Sequence, residues 1–123
     1  MSHDQKIVRL VIADDHPIVL EGIAKVLEAE TDFDVRAKCS SGTDALRAIR
    51  EHRPDVAVLD IVMPDMSGLD VLTHLNTEGL DTKAVFLTAN ATDARILALM
   101  IQMISERHKC NLGGKRSAET GSV

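Results

Sequence analysis

Apolar positions along the chain alternate between continuous runs and helically spaced stripes. Ile7-Val8-Arg9-Leu10-Val11-Ile12 is almost unbroken and reads as a buried strand that ends at Asp14-Asp15. Pro17 then suits the first turn of a helix, and Val19, Leu20, Ile23, Ala24 and Leu27 recur at helical spacing behind it. Phe33 to Lys38 predicts a second strand. Ser41-Gly42-Thr43-Asp44 opens a second helix with Ala45, Leu46 and Ile49 inward, and Pro54 marks that this helix has stopped. Val56-Ala57-Val58-Leu59 is continuously apolar, as a central strand covered on both faces should be, and it ends in Asp60. After a loop with Pro64 and Gly68 comes a short helix through Val71, Leu72 and Leu75. Lys83 to Leu87 is a fourth strand, ending at Thr88.

The order βαβαβαβ predicts an α/β fold: a doubly wound parallel sheet with right-handed crossovers and helices on both faces. No repeat or internal linker interrupts it. At 123 residues, 45% hydrophobic and 27% charged, the chain has the composition of one globular domain. No apolar run approaches the roughly 20 residues of a membrane span, and the N-terminus lacks the apolar stretch of a signal peptide. Cys39 and Cys110 form no CxxC pair, which fits a reducing cytoplasm. Net charge is −5; residues 1–105 carry −7 and residues 106–123 carry +2. An acidic body argues against a nucleic-acid surface.

Functional groups of doubly wound sheets gather at the carboxyl ends of the strands. Three of the apolar runs end in Asp14-Asp15, in Asp60 and in Thr88, so the predicted fold brings three carboxylates and a hydroxyl to one edge. Such carboxylates repel one another, and a hard divalent cation relieves the repulsion. Mg²⁺ takes oxygen ligands and keeps waters for a substrate phosphate. A carboxylate beside it is a competent nucleophile toward phosphorus. Taken singly, each element has an ordinary explanation: Asp-Asp before His-Pro is also a turn and helix cap, and Thr is common at strand ends. Their joint order is what carries the reading.

Ala13-Asp14-Asp15-His16-Pro17, Val58-Leu59-Asp60-Ile61-Val62-Met63-Pro64-Asp65-Met66-Ser67-Gly68-Leu69-Asp70 and Phe86-Leu87-Thr88-Ala89 together resemble bacterial two-component response-regulator receiver domains, over about residues 6 to 95. The Asp-Asp-His-Pro form looks like the NarL/FixJ branch, whose members usually carry a helix-turn-helix output domain. The resemblance implies a flavodoxin-like fold with strand order 2-1-3-4-5. It makes Asp60 the acceptor of a phosphoryl group from a sensor histidine kinase, in a domain that is not itself an enzyme of external substrates. It also implies Mg²⁺ held by Asp15, Asp60 and the backbone carbonyl of Val62, with Asp14 acting through a metal-bound water. Thr88 would hydrogen-bond a phosphoryl oxygen, and Pro64 and Gly68 would shape the loop that aims the carbonyl.

The pattern breaks after Thr88. Receivers of this kind continue to a fifth strand with an aromatic and then a Lys, closed by a fifth helix. Here the fifth strand and helix are atypical or missing. Cys110 stands about where the Lys belongs, Lys109 is one residue early, Lys115 lies further on, and no Tyr is present. From Ile96 to Ile104 the only polar residue is Gln102. A helix apolar all round must be buried, since exposing each such side chain costs about 1.5–3 kcal/mol. One reading makes Met100 to Ile104 an irregular fifth strand of a monomer. The preferred one is a lengthened helix that buries its extra face in a homodimer. The expected organisation is a receiver domain over 1–107 and a flexible tail over 108–123.

The resulting expectation is a cytoplasmic, phosphorylatable receiver. The alternative is a degenerate receiver acting as a dimerisation or docking module without phosphotransfer. A haloacid-dehalogenase-like phosphohydrolase needs an acid where Val62 stands. A flavodoxin needs a phosphate loop where Asp14-Asp15 would repel the ligand.

Overall fold

The computed structural model describes residues 7–87 and residue 101. Within them the elements run β1 (Val8–Ala13), α1 (Pro17–Glu28), β2 (Phe33–Cys39), α2 (Gly42–His52), β3 (Val56–Asp60), α3 (Gly68–Glu78) and β4 (Lys83–Leu87). All strand pairs are parallel, in the order β2-β1-β3-β4. This is the flavodoxin-like doubly wound topology expected from the sequence. The positions of a fifth strand and helix lie outside the described residues. So do Thr88, Lys109, Cys110, Lys115 and the expected tail.

Two apolar layers sandwich the sheet. Val8, Leu10 and Ile12 of β1 meet Leu20, Ile23, Ala24 and Leu27 of α1 on one face. Val11 and Ala13 meet Ala45, Leu46 and Ile49 of α2 and Val71 and Leu75 of α3 on the other. Each helix therefore buries the stripe its periodicity predicts, while Ile18, off the stripe of α1, is 86% exposed.

One strand departs from simple alternation. Phe33 and Val35 of β2 face α1, whereas Ala37 and Cys39 face α2, although all four are odd-numbered. Pairing with β1 explains it: Leu10 pairs with Val35 and Val11 with Ala37, so Arg36 is an extra residue. A bulge flips every later side chain to the opposite face. Arg36 itself points to solvent and pairs with Asp34 at 3.0 Å.

The helix boundaries follow from capping chemistry. Pro17 occupies the first turn of α1. Ser41 caps α2 by accepting from the Asp44 N–H, and Arg53 closes it in the left-handed region. Ser67 and Asp70 form a reciprocal capping box on α3, which ends at Gly79 with φ 70°. At 11 residues α3 is longer than its apolar pattern suggests. Its polar face carries Thr73 and Thr77, whose hydroxyls donate to the carbonyls of Leu69 and Thr73. Arg50 of α2 clamps Glu78 of α3 through two hydrogen bonds.

Ile101 is helical and fully buried, and it belongs to the apolar layer on the α1 face with Val85 and Leu87. One side chain of the Ile96 to Ile104 segment is thus enclosed by the core of its own chain. The other residues of that segment lie outside the described residues.

Candidate functional site

The carboxyl ends of β1 and β3 are neighbours because these strands pair in register, Ala13 opposite Leu59. The residues that follow, Asp14, Asp15 and Asp60, therefore emerge side by side. Each carboxylate offers an oxygen, and His16 a ring nitrogen, with all four atoms within 4.8 Å of one another.

Asp14 is the most enclosed of the three, with its side chain 5% exposed. Its backbone N–H donates to the Cys39 carbonyl, tying the site to β2. Its Oδ1 accepts the His16 backbone N–H at 2.8 Å, a local turn that starts the chain toward α1. The cap of α1 is accordingly His16 without a side-chain capping bond. Asp15 has a buried Oδ1 with no hydrogen-bond partner among the described residues. His16 Nδ1 lies 3.0 Å from that oxygen and 3.1 Å from Asp14 Oδ1. The hydrogen bond goes to Asp14, and Asp15 receives charge proximity alone.

Asp60 closes β3. Burial, and next the negative charge of Asp14, push its carboxyl above the ordinary value; the Val62 N–H, donating at 3.4 Å, opposes them, while Asp15 pushes further upward. The hydrogen bond to Asp14 raises the His16 imidazole above its usual value, followed by the charge of Asp15. The negative charges of Asp14 and Asp15 contribute to both shifts, second to burial at Asp60 and alongside the Asp14 hydrogen bond at His16.

The loop after Asp60 is fixed by two glycines that begin helices. A Cβ on Gly68 would overlap the Asp60 carbonyl oxygen, and one on Gly42 would overlap the Met66 carbonyl. The Gly68 N–H donates to Ile61 O at 2.8 Å, and Met63 is buried beneath the loop. Asp65, at φ 60°, turns the chain between them. Val62 is left 73% exposed beside the acids.

Of the residues singled out in the sequence, Asp14, Asp15 and Asp60 come together, and Val62 lies two residues beyond Asp60 on the same loop. Thr88 and every candidate Lys are outside the described residues. His16 was noticed only as part of a motif; its place directly after two acids was the available signal. The donor set fits a divalent cation: three carboxylates converge, and one buried oxygen lacks a partner that an ion would supply.

Comparison with known proteins places this geometry. The family description "response regulator receiver domain" matches residues 10–106. A nitrate/nitrite response regulator protein homolog of Haemophilus influenzae is 36% identical over 92 residues, covering 75% of this chain and 44% of that protein. The oxygen regulatory protein NreC of Staphylococcus epidermidis is 40% identical over 81 residues, 65% of this chain and 37% of that one. The chain thus spans less than half the length of these curated relatives. Among solved structures, the signal receiver domain of NarL from Mycobacterium tuberculosis superposes with a TM-score of 0.67 at 33% identity, covering 79% of this chain and 78% of that one. No helix among the described residues is long and apolar enough to cross a membrane. The family match over residues 10–106 and the superposition on a receiver domain agree, and this chain belongs to the response-regulator receiver domain family.

Proposed function

We propose that the chain is a phosphoacceptor of a two-component system, taking a phosphoryl group on Asp60 from a sensor histidine kinase. The observation that carries this is the convergence of Asp14, Asp15 and Asp60, with an unpartnered buried oxygen on Asp15. Asp15, Asp60 and the Val62 carbonyl are the proposed Mg²⁺ ligands, with Asp14 acting through water. Bound there, the ion neutralises charge on the carboxylates and on the incoming phosphoryl group. An Asp60 oxygen bonds to phosphorus as the phosphorus–nitrogen bond of the kinase phosphohistidine breaks. The freed imidazole keeps the electron pair and takes up a proton. Gly68 and Gly42 hold the Asp60 loop against α3 and α2, which limits the freedom of the nucleophile. Thr88 is the proposed donor to a phosphoryl oxygen. The cytoplasm, where such kinases meet their acceptors, is the proposed compartment.

The second reading, a docking module without phosphotransfer, is favoured by Cys110 standing about where receivers carry Lys. Self-association through Ile96 to Ile104 is a separate proposal, and it must work without Ile101, which its own chain encloses.

Treatment with phosphoramidate in the presence of Mg²⁺ should add about 80 Da, one phosphoryl group, to the intact mass. Chelation of Mg²⁺ or Asp60→Asn should abolish the addition. A chain that stays unmodified with Mg²⁺ present would favour the docking reading.

A further inference from the structure

The imidazole of His16 stands among the three carboxylates, and the hydrogen bond it makes there does not use the unpartnered Asp15 oxygen. We infer that His16 Nδ1 is a fourth protein ligand of the divalent cation, tuning this site toward ions that accept nitrogen, such as Mn²⁺, Co²⁺ or Zn²⁺, relative to Mg²⁺. The inference rests on the cation site proposed above and adds a selectivity to it.

The spacing supports it. Two ligands at right angles on an ion with bonds of about 2.1 Å lie about 3.0 Å apart, and opposite ligands about 4.2 Å apart. His16 Nδ1 is 3.0 Å from Asp15 Oδ1, which is the separation of adjacent ligands, while its 3.1 Å contact to Asp14 Oδ1 is the hydrogen bond that holds the ring beside the site. The widest separation in the group, within 4.8 Å, needs a contraction of about half an ångström that side-chain rotation supplies.

The ring is also held there by the backbone. The His16 N–H is bonded to Asp14 Oδ1, and Pro17 fixes the chain immediately after it. With its side chain 70% exposed, the ring turns from Asp14 to an ion without disturbing the core. Mg²⁺ prefers an all-oxygen shell, whereas imidazole suits the later first-row ions, whose affinity rises along the series to copper. One nitrogen added to the oxygens of Asp15, Asp60 and Val62 therefore lifts Mn²⁺, Co²⁺ and Zn²⁺ and leaves Mg²⁺ nearly unmoved.

Calorimetric titration of the full chain with MnCl₂ and with MgCl₂ tests this, alongside His16→Ala and His16→Asn. Both variants should lower the ratio of Mn²⁺ to Mg²⁺ affinity by about tenfold or more, with Mg²⁺ affinity changed less than about twofold. With Zn²⁺, the ¹⁵N resonance of His16 Nδ1, assigned by its disappearance in the variants, should move on binding. A ratio that ignores both substitutions, or equal weakening of Mg²⁺ and Mn²⁺, overturns the ligand role while leaving the cation site intact. Binding of neither ion to the unsubstituted chain overturns the cation site itself, and this inference with it.

Discussion

The two edges of the sheet treat charge in opposite ways. At the amino ends of the strands, Asp55 accepts the Arg9 N–H at 2.9 Å, and the Arg9 guanidinium donates to the Arg53 carbonyl at 2.7 Å. Thr82, 8% exposed, donates to the Pro54 carbonyl at 2.7 Å. These bonds stitch β1, β3 and β4 together where their loops meet. At the carboxyl ends, Asp14, Asp15 and Asp60 face each other with one exposed imidazole for company. Repulsion left unrelieved there costs stability and favours a bound cation. Polar groups that are fully paired hold a fold together, whereas groups short of partners are where a ligand gains most.

Substitutions at the two edges should therefore separate stability from chemistry. Gly68→Ala should disturb the site edge more than Thr82→Val disturbs the other, because its methyl overlaps the Asp60 carbonyl. We expect a loss of about 1–3 kcal/mol in urea unfolding, together with slower phosphoryl labelling as the loop is pushed aside. Gly22→Ala, with nothing within 4 Å, is the control and should stabilise by about 0.5–1 kcal/mol. Thr82→Val, at the opposite edge, should cost about 1–2 kcal/mol by stripping the Pro54 carbonyl of its partner. Labelling of the folded fraction should be unchanged. A labelling defect in Thr82→Val would erase the contrast.

Mg²⁺ should stabilise the chain by about 1.4 kcal/mol at ten times its Kd, read as a rise in Tm, and Asp60→Asn should lose most of that gain. A smaller effect follows from the raised Asp60 carboxyl. Without metal, the folded state holds this proton above the ordinary carboxyl value of 3.8, where the unfolded chain has already released it. The folded state binds more protons in that window, so this group's contribution to stability declines as pH rises from there through the raised value. Urea midpoints across pH 4–7 with EDTA, compared between the unsubstituted chain and Asp60→Asn, should reveal that decline, and Mg²⁺ should remove it.

Much of this contrast was legible in the sequence. Val56 to Leu59 could only be a covered strand, and the stripe from Leu20 to Leu27 could only be one helix face, so the order of elements and the acids at their ends followed. The bulge at Arg36 was not legible, because alternation carries no mark where the count slips by one. Neither were the close approaches at Gly42 and Gly68, which depend on where two helices meet a loop distant in sequence. The apolar segment Ile96 to Ile104 pointed to a second chain as its partner, whereas Ile101 is buried in the cluster of its own chain that holds Val85 and Leu87. The position of His16 among the acids needed the turn at Asp14, a backbone detail that residue types alone do not fix.

The central claim is that the crowded acids exist to charge Asp60 with phosphorus. Borohydride reduction of the phosphodonor-treated chain, followed by peptide sequencing, tests it directly, since an acyl phosphate on aspartate is reduced to homoserine. The account predicts homoserine at position 60 alone, and only when Mg²⁺ was present. Homoserine at Asp14 or Asp15, or none anywhere despite saturating Mg²⁺, would contradict it.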